Sequence, residues 1–559
     1  MGFANNYGTV LLTPAQQPTA SCFAGYSYSY GLLTPHCFPY VTTTGEIQLK
    51  TASGALERFS WNGTTATPIN PYLKDQLTQQ VQNGATIWVY HEAASDRTLT
   101  FDAAGNLRQI LEPNGRFQTL TYAAPGSSVL VAVTDNFNRS LQFTYDGNGN
   151  LLTLTDPAGH VTSYQYVGAS YTAPSCSNAS CYLLSTVTYP DGGVKAYHWN
   201  EAANVVSPPQ YGYTLLTGIS DENGQRYSDT SYNGSGTTKA VSTWLAGGVA
   251  KYTISNYTQF HSATVTDPLG TARTFTYGDA QGLVRLSSMT GGACPECEAQ
   301  AQTFDTNGNV ASRTDFKGNK TTYVYDLTRN LETSRTEAAG TAQARTITTI
   351  WHPTFHLPAQ ITEPNRVTNY TYDANGNLLT KSVTASGNTR SWNYTYNNFG
   401  QVLTATDPDS NKTTYTYDTS GNLTTLTDAR GHLTQFTSYD ANGNLLVMTD
   451  PNGKTTSFSW DARNRLKSRQ SGSDLTSYTY DLVGQLISVV FPDSSSVAYT
   501  YDAAHRLTNI ADSHGNCIAY TLNALGNRTR EDVSDPAGQL AAAQSQIVTS
   551  QTLPNNVTQ

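Results

Sequence analysis

Hydrophobic and polar residues alternate in short bursts along most of this chain. Tyr370-Thr371-Tyr372 and Tyr415-Thr416-Tyr417 are typical. Side chains in a strand alternate with period two, so both aromatics of each triplet share a face. The bursts are rich in Thr, Tyr, Val and Leu, and turn signals end them. In Tyr417-Asp418-Thr419-Ser420-Gly421-Asn422, Asp418 fits the first position of a type I turn and Gly421 the fourth. Asp fixes such a turn by bonding the backbone two residues on. Gly accepts the left-handed conformation that follows in a bulged hairpin. Asp450-Pro451-Asn452-Gly453 has the same logic, with proline preset for the second position. Short strands with turns every ~8–12 residues predict an all-β protein.

The pattern repeats. An aromatic followed by Asp or Asn stands at Tyr396, Tyr417, Tyr439, Trp460, Tyr480 and Tyr501, at spacings of 21, 22, 21, 20 and 21. Earlier copies stand at Phe101, Tyr145, Phe304, Tyr325 and Tyr372. Within a repeat, ten residues separate the two turn heads, as in Asp146/Asp156, Asp418/Asp428, Asp440/Asp450 and Asp502/Asp512. A period in this range marks an architecture built by stacking one supersecondary unit. In register, successive hairpins form a continuous antiparallel sheet with aromatic ladders across strands. Arg329, Asn464 and His505 stand where the repeat expects Gly. Asn and His tolerate positive φ better than Arg, so the turn at Arg329 is expected to be of a different type.

Three regions follow. Residues 1–97 read as an irregular β-rich entry, with a short helix near 71–83 signalled by Asn70, Pro71 and Gly84. Residues 98–528 carry the repeats, degenerate over 167–263. Residues 529–559 read as a frayed tail with a short helix near 537–547.

Composition changes the picture in one way. Charged residues are 13% and apolar residues 38% of 559, with 36 Tyr. So little charge and so modest a core suit a thin wall with two solvated faces, or equally a flat β-solenoid. The net charge of −9 lacks the footprint of a nucleic-acid or anionic-membrane binder. No apolar run is long enough to span a membrane as a helix, and the first residues do not read as a signal peptide. The chain opens directly in β-like sequence, which reads as a segment of something longer.

The pattern Tyr-x-Tyr-Asp-x-x-Gly-Asn-Leu followed by Thr-Asp-Pro-x-Gly resembles the YD repeat of the RHS family. Phe143–Leu151, Tyr370–Leu378 and Tyr415–Leu423 are the cleanest copies. The resemblance spans roughly 98–528. It implies a spiral of stacked antiparallel β-hairpins forming a hollow or partly open shell, as in bacterial polymorphic toxins, insecticidal toxin complexes and teneurins. It further implies a polypeptide cargo or flanking domains as partners, at or outside the cell. Cell-surface glycans are the alternative partner, met by Tyr-rich sheet faces. Open strand edges add self-association. The family's self-cleaving Asp-Pro-x-Gly-Leu segment is matched only by Asp535-Pro536-Ala537-Gly538-Gln539, so no cleavage role is carried to Asp535.

Paired carboxylates suggest acid–base chemistry, but a residue that recurs a dozen times is structural. The residues singled out are therefore turn and repeat residues: Asp146, Asp156, Tyr372, Asp373, Gly376, Tyr417, Asp418, Gly421, Asp428, Tyr439, Asp440, Gly443, Asp450, Pro451, Gly453, Tyr480, Asp481, Tyr501 and Asp502. No catalytic residue, cofactor or metal ligand is assigned. Cys294 and Cys297 form a lone CxxC, and His352 and His356 an H-x3-H; whether the cysteines pair or bind metal stays open. Cys176 and Cys181 are placed to bridge in an oxidising compartment.

Overall fold

The structure is a computed structural model. It describes residues 10–12, 23–29, 32–38, 45–51, 56–70, 72–168, 182–206, 215–233, 239–258, 261–280, 283–292, 299–536 and 538. One antiparallel sheet of 40 strands dominates it. The sheet opens with Gln76–Gln82 and closes with Arg528–Ser534, each strand pairing with the next. No ladder joins its first strand to its last. Among the described residues the only helical turns are Ala202–Asn204 and Ala246–Gly248, both 3-10.

The helix expected near 71–83 is a strand. Gln76–Gln82 pairs with Ala85–Glu92 across Asn83-Gly84, whose φ values are 52° and 78°. Two left-handed residues in a row make the hairpin turn that Asn-Gly favours, so Gly84 turns a hairpin rather than capping a helix. Asn70 does bond the Tyr72 N–H at 3.0 Å, but no helix follows. The sheet thus begins at 76 rather than 98. Over 167–263 the described residues continue it as strands such as Tyr182–Thr188 and Val194–Trp199, although the motif fades there. The helix expected near 537–547 falls outside the described residues.

Register gives the sheet two unlike faces. Tyr415 opposes Leu426, Phe436 opposes Met448, Phe458 opposes Arg469, Tyr478 opposes Val489 and Tyr499 opposes Ile510. The intervening residues form hydroxyl pairs on the other face: Thr371–Thr380 at 2.6 Å, Thr395–Thr404 at 2.7 Å and Thr416–Thr425 at 2.6 Å. One face is therefore aromatic and aliphatic, the other a lattice of hydroxyls.

A small entry sheet covers the start of the aromatic face. Glu46–Lys50 pairs with Leu56–Trp61, which pairs with Ala66–Pro68. Ile47, Leu49 and Phe59 are fully buried against Leu77, Trp88, Tyr90, Leu99, Phe101, Leu107, Ile110, Leu120 and Val133. This is the principal apolar core among the described residues. Beyond it, on the same face, Tyr415, Leu426, Phe436, Met448 and Phe458 are only half-buried.

The sheet also winds. Bonds distant in sequence join residues 258 to 286 apart, among them Asn330 to Tyr72 and Asn442 to Asp156. One winding is therefore about 270 residues. Twenty-three successive strands of the sheet lie between Asp156 and Asn442. At ~4.8 Å per strand the perimeter is ~110 Å, equivalent to a circle ~35 Å across. That leaves room for a lumen inside a wall one sheet thick.

Burial differs along this face and predicts different costs for one substitution. Phe59→Ala should cost ~3–5 kcal/mol, as for fully buried aromatics. Phe436→Ala, half-buried on the same face, should cost less than about 2 kcal/mol. Urea unfolding followed by tryptophan fluorescence checks the difference; equal losses would mean that the entry sheet does not shield the face.

Candidate functional site

The turns are the chemically dense part of the molecule. In the turn headed by Asp418, one carboxylate oxygen accepts the N–H groups of Ser420 and Asn422 at 2.9 and 2.8 Å. The other accepts the Asn422 side-chain amide at 3.1 Å. The Gly421 N–H closes the turn on the Asp418 carbonyl, and Gly421 has φ 75°. Asp146, Asp373 and Asp440 repeat this arrangement with Asn150, Asn377 and Asn444. Gly376, Gly443 and Gly453 are likewise left-handed. Asp156 and Asp428 take His160 and His432 as the third partner, and Asp502 takes Arg506. Asp450 accepts the Asn452 and Lys454 N–H groups in the turn that Pro451 enters, and Asp481 those of Gly484 and Gln485. The residue four past the Asp completes each motif. Its recurrence as Asn, His or Arg was visible in the sequence but not read.

In turns of this kind the bonds lower the carboxyl of Asp146, Asp407 and Asp512. The Asn150 amide and the turn N–H groups keep Asp146 below the usual carboxylate range. Asp407 and Asp512 are lowered the same way by Asn411 and Asn516. Nearly all their acceptor capacity is spent on the turn itself.

The aromatic before each Asp does more than pack. The hydroxyl of Tyr396 donates to the carbonyl of Leu378 at 2.8 Å, Tyr417 to Val402 at 2.9 Å, Tyr439 to Leu423 at 2.5 Å and Tyr501 to Leu486 at 3.0 Å. Tyr372 donates to Pro358. Trp460 uses its indole N–H on Leu445 at 2.8 Å. Each acceptor lies in the preceding hairpin, at a residue that itself pairs just beyond a bulge. Bulges leave a carbonyl off the ladder, and the ring tip satisfies it. This explains why Trp substitutes for Tyr here: both carry a donor at the tip of a long planar side chain. Burial pushes the Tyr372 hydroxyl up to about 12. Tyr480 instead lies under Arg465, 5.0 Å from its ring centre.

Where windings meet, aromatic-Asp turns of the later winding dock on the opposite turn row of the earlier one. The Asn442 amide donates to Asp156 at 2.7 Å and accepts the Ala158 N–H at 3.0 Å. Arg465 donates to Asp191 at 2.9 Å. Arg463 lies 3.2 Å from Asp191, 3.6 Å from Glu222 and 3.9 Å from the Tyr189 ring centre. His505 meets Asp221 at 2.8 Å and stacks on Tyr227. The His356 N–H donates to Asp96 at 2.7 Å, and the Arg116 side chain to the Phe399 carbonyl at 3.1 Å. The seam is mostly polar, with acceptors concentrated on the earlier winding and donors on the later. Phe137 against Phe399 is an apolar exception.

The three departures from Gly all serve neighbouring contacts. Asn464 and His505 are left-handed, φ 60° and 63°. Asn464 holds Asn442 and Asn444 by their amides, and His505 reaches Asp221. A glycine has no side chain to do either. At Arg329 the turn is indeed different: Asp326 stays in its strand, Asn330 takes the left-handed position with φ 56°, and Arg329 donates to the carbonyls of His352 and Phe355.

Cys176, Cys181, Cys294 and Cys297 lie outside the described residues; Cys517 is a free thiol. His352 accepts the Thr354 and Phe355 N–H groups, while His356 lies in the seam. Among the described residues no three His, Cys, Asp or Glu side chains are grouped to hold a metal ion.

With this geometry in view, comparison with known proteins is direct. Residues 363–530 match the teneurin YD-shell model, and residues 130–161, 145–169 and 304–342 match the RHS repeat model. These stretches of the chain are similar to RHS and teneurin YD-shell repeats, in agreement with the motif read from the sequence. No curated protein matches. Among solved structures it is similar to TcdB2-TccC3 without its hypervariable C-terminal region, at 15% identity and a TM-score of 0.48 over 83% of this chain and 26% of that one. The Photorhabdus luminescens Tc holotoxin pore matches at 14% identity and a TM-score of 0.45, over 84% and 28%. The chain thus spans little more than a quarter of either.

Two outcomes are expected. Arg463→Ala should cost ~1.5–3 kcal/mol, since Asp191 keeps Arg465 and Glu222 keeps Lys195, and a double-mutant cycle with Asp191→Ala should show coupling of ~0.5–3 kcal/mol. Additive losses would mean the seam pair does not form. Lowered turn carboxylates lose their stabilisation as pH falls below the 3.8 of a free Asp. Circular dichroism should therefore report loss of the sheet between about pH 4 and 2; a sheet unchanged at pH 2 would contradict the turn account.

Proposed function

We propose that this chain is a non-catalytic wall segment of an RHS/YD-repeat shell, holding a polypeptide cargo against its aromatic face outside the bacterial cell or at its surface. One observation carries the reading. The aromatic face is continuous in register along the sheet, and its first strands are covered by another layer of extended polypeptide, the strands Glu46–Lys50, Leu56–Trp61 and Ala66–Pro68. Over the later winding it presents half-buried Tyr, Leu, Phe and Met, with no such layer among the described residues. Apolar area of this kind is stabilised by burial, and the entry sheet shows the form of polymer that fits. The winding, equivalent to a circle ~35 Å across by strand spacing, suits enclosure or presentation of such a chain.

Polypeptide is favoured over glycan because the aromatic before each Asp has its hydroxyl committed. Tyr372, Tyr396, Tyr417, Tyr439 and Tyr501 all donate to backbone carbonyls, so at these five positions the ring rather than a hydrogen-bonding edge is on offer. Assembly through the last strand is disfavoured. Arg528–Ser534 is exposed throughout and carries the ion pairs Arg528–Glu531 and Arg530–Asp532. Charge on an edge strand opposes further strand addition.

The test is binding of a reduced, carboxymethylated polypeptide at physiological salt, read by fluorescence anisotropy beside a glycan panel. Saturable binding of the unfolded chain, lost in the Tyr415→Ser/Phe436→Ser/Phe458→Ser variant with its sheet intact by circular dichroism, is the expected result. Glycan binding without polypeptide binding would overturn the reading in favour of an adhesion module.

A further inference from the structure

The entry sheet meets the aromatic face through one ionisable group set among apolar ones. Leu49 stands opposite Glu57, and Ile47 opposite Phe59, so these four side chains share the face turned toward the main sheet. Ile47, Leu49 and Phe59 are fully buried there. Glu57 therefore sits inside an otherwise apolar contact. Its carboxylate accepts the Tyr90 hydroxyl at 2.8 Å across the interface.

The charged surroundings of Glu57 are acidic. From the main sheet and its lead-in come Tyr90, Asp75 and Glu92. Asp75 is itself half-buried, accepting the Ala93 N–H at 2.7 Å. The nearby cations are engaged elsewhere: Arg97 with Glu92 at 2.7 Å, and Arg58 with Glu46. Ionised, Glu57 would lie in an apolar interface beside two further carboxylates.

We propose that the entry sheet is a pH-gated cover over the start of the aromatic face, held down in acid and loosened above neutrality. The inference rests on the interface alone, whatever ligand the rest of the face takes. The direction of titration agrees with it. Burial first, then the charges of Asp75 and Glu92, push the Glu57 carboxyl up to about 7, against the opposing Tyr90 hydrogen bond. Burial raises Asp75 as well. A group raised in the closed form contributes its stabilisation fully below its ordinary value of 4.5 and loses it as pH rises through about 7. The cover is therefore tightest in acid, opposite in sign to the turn carboxylates. Between pH 4 and 5.5 the turns are still intact and the cover is closed; above pH 8 the turns are intact and the cover is loosened.

The molecule carries its own reporter. Trp61 of the entry sheet meets Trp88 of the main sheet edge-on, with ring centres 4.9 Å apart. The experiment is amide exchange of residues 46–50 and 56–61 at pH 5.5 and 8.5, corrected for intrinsic rates, with near-ultraviolet circular dichroism of the Trp61–Trp88 pair. Exchange should indicate an opening constant ~10- to 100-fold larger at pH 8.5, and the pair signal should weaken. Amides of the later winding, residues 412–460, should not change, which separates cover opening from general loosening. Glu57→Gln should remove most of the pH dependence and keep the cover closed at pH 8.5. Asp75→Asn should remove a smaller part, and it serves where Glu57→Gln alters expression. Equal protection of 46–50 and 56–61 at both pH values in the native chain, or full pH dependence surviving in Glu57→Gln, would overturn the proposal.

Discussion

Everything in this molecule rests on a carboxylate folded back onto its own turn. A wall one sheet thick has little interior, so the hydrophobic effect alone cannot fix which strand residue meets which. The turns do it instead. Each Asp ties two backbone N–H groups, in turns such as that of Asp418 also the side chain four residues on, and a left-handed residue closes the loop. Turn type and loop length then set hairpin register. Register in turn places Tyr415, Phe436, Phe458, Tyr478 and Tyr499 on one face and hydroxyl pairs such as Thr395–Thr404 and Thr416–Thr425 on the other. A one-residue slip would exchange the two faces, so the turn chemistry decides the surface the wall presents.

Two further devices turn a row of hairpins into a wall. Laterally, the aromatic before the Asp satisfies a carbonyl left off the ladder by the bulge in the preceding hairpin, so neighbouring repeats are joined by hydrogen bond as well as by packing. Vertically, aromatic-Asp turns dock on the opposite turn row one winding earlier. The two turns of a repeat are alike locally yet take complementary roles at the seam. Acceptors such as Asp156, Asp191 and Asp221 face donors such as Asn442, Arg465 and His505. A largely polar seam of this kind fixes the pitch of the winding with little apolar area.

Much of this was legible in the sequence, because it is local. The period, the turn heads, the left-handed glycines and the shared face of paired tyrosines all follow from residues within a few positions of one another. The helix near 71–83 failed for a physical reason: Asn70, Pro71 and Gly84 are helix signals individually, but Asn83-Gly84 is a stronger hairpin signal, and Leu77 pairs with Tyr90 in the core. What local reading missed depends on distance. Nothing near His505 says that Asp221 waits 284 residues away. The clue was the broken rule itself. Asn464 and His505 accept a left-handed backbone that costs a non-glycine residue ~1–2 kcal/mol, and each offsets it with a contact that glycine cannot make.

The central claim is that the sheet winds back on itself after about 270 residues, laying one row of turns on another. A cysteine pair at Ala158 and Asn442, where the Ala158 N–H meets the Asn442 side chain at 3.0 Å, tests it most directly, with mass spectrometry of the oxidised and short-linker cross-linked monomer. The account predicts an intramolecular link between these positions at low protein concentration, and none between Ala158 and a cysteine half a winding away. A monomer that links 158 to 442 no faster than to that control would mean the windings do not stack, and the wall would not exist as described.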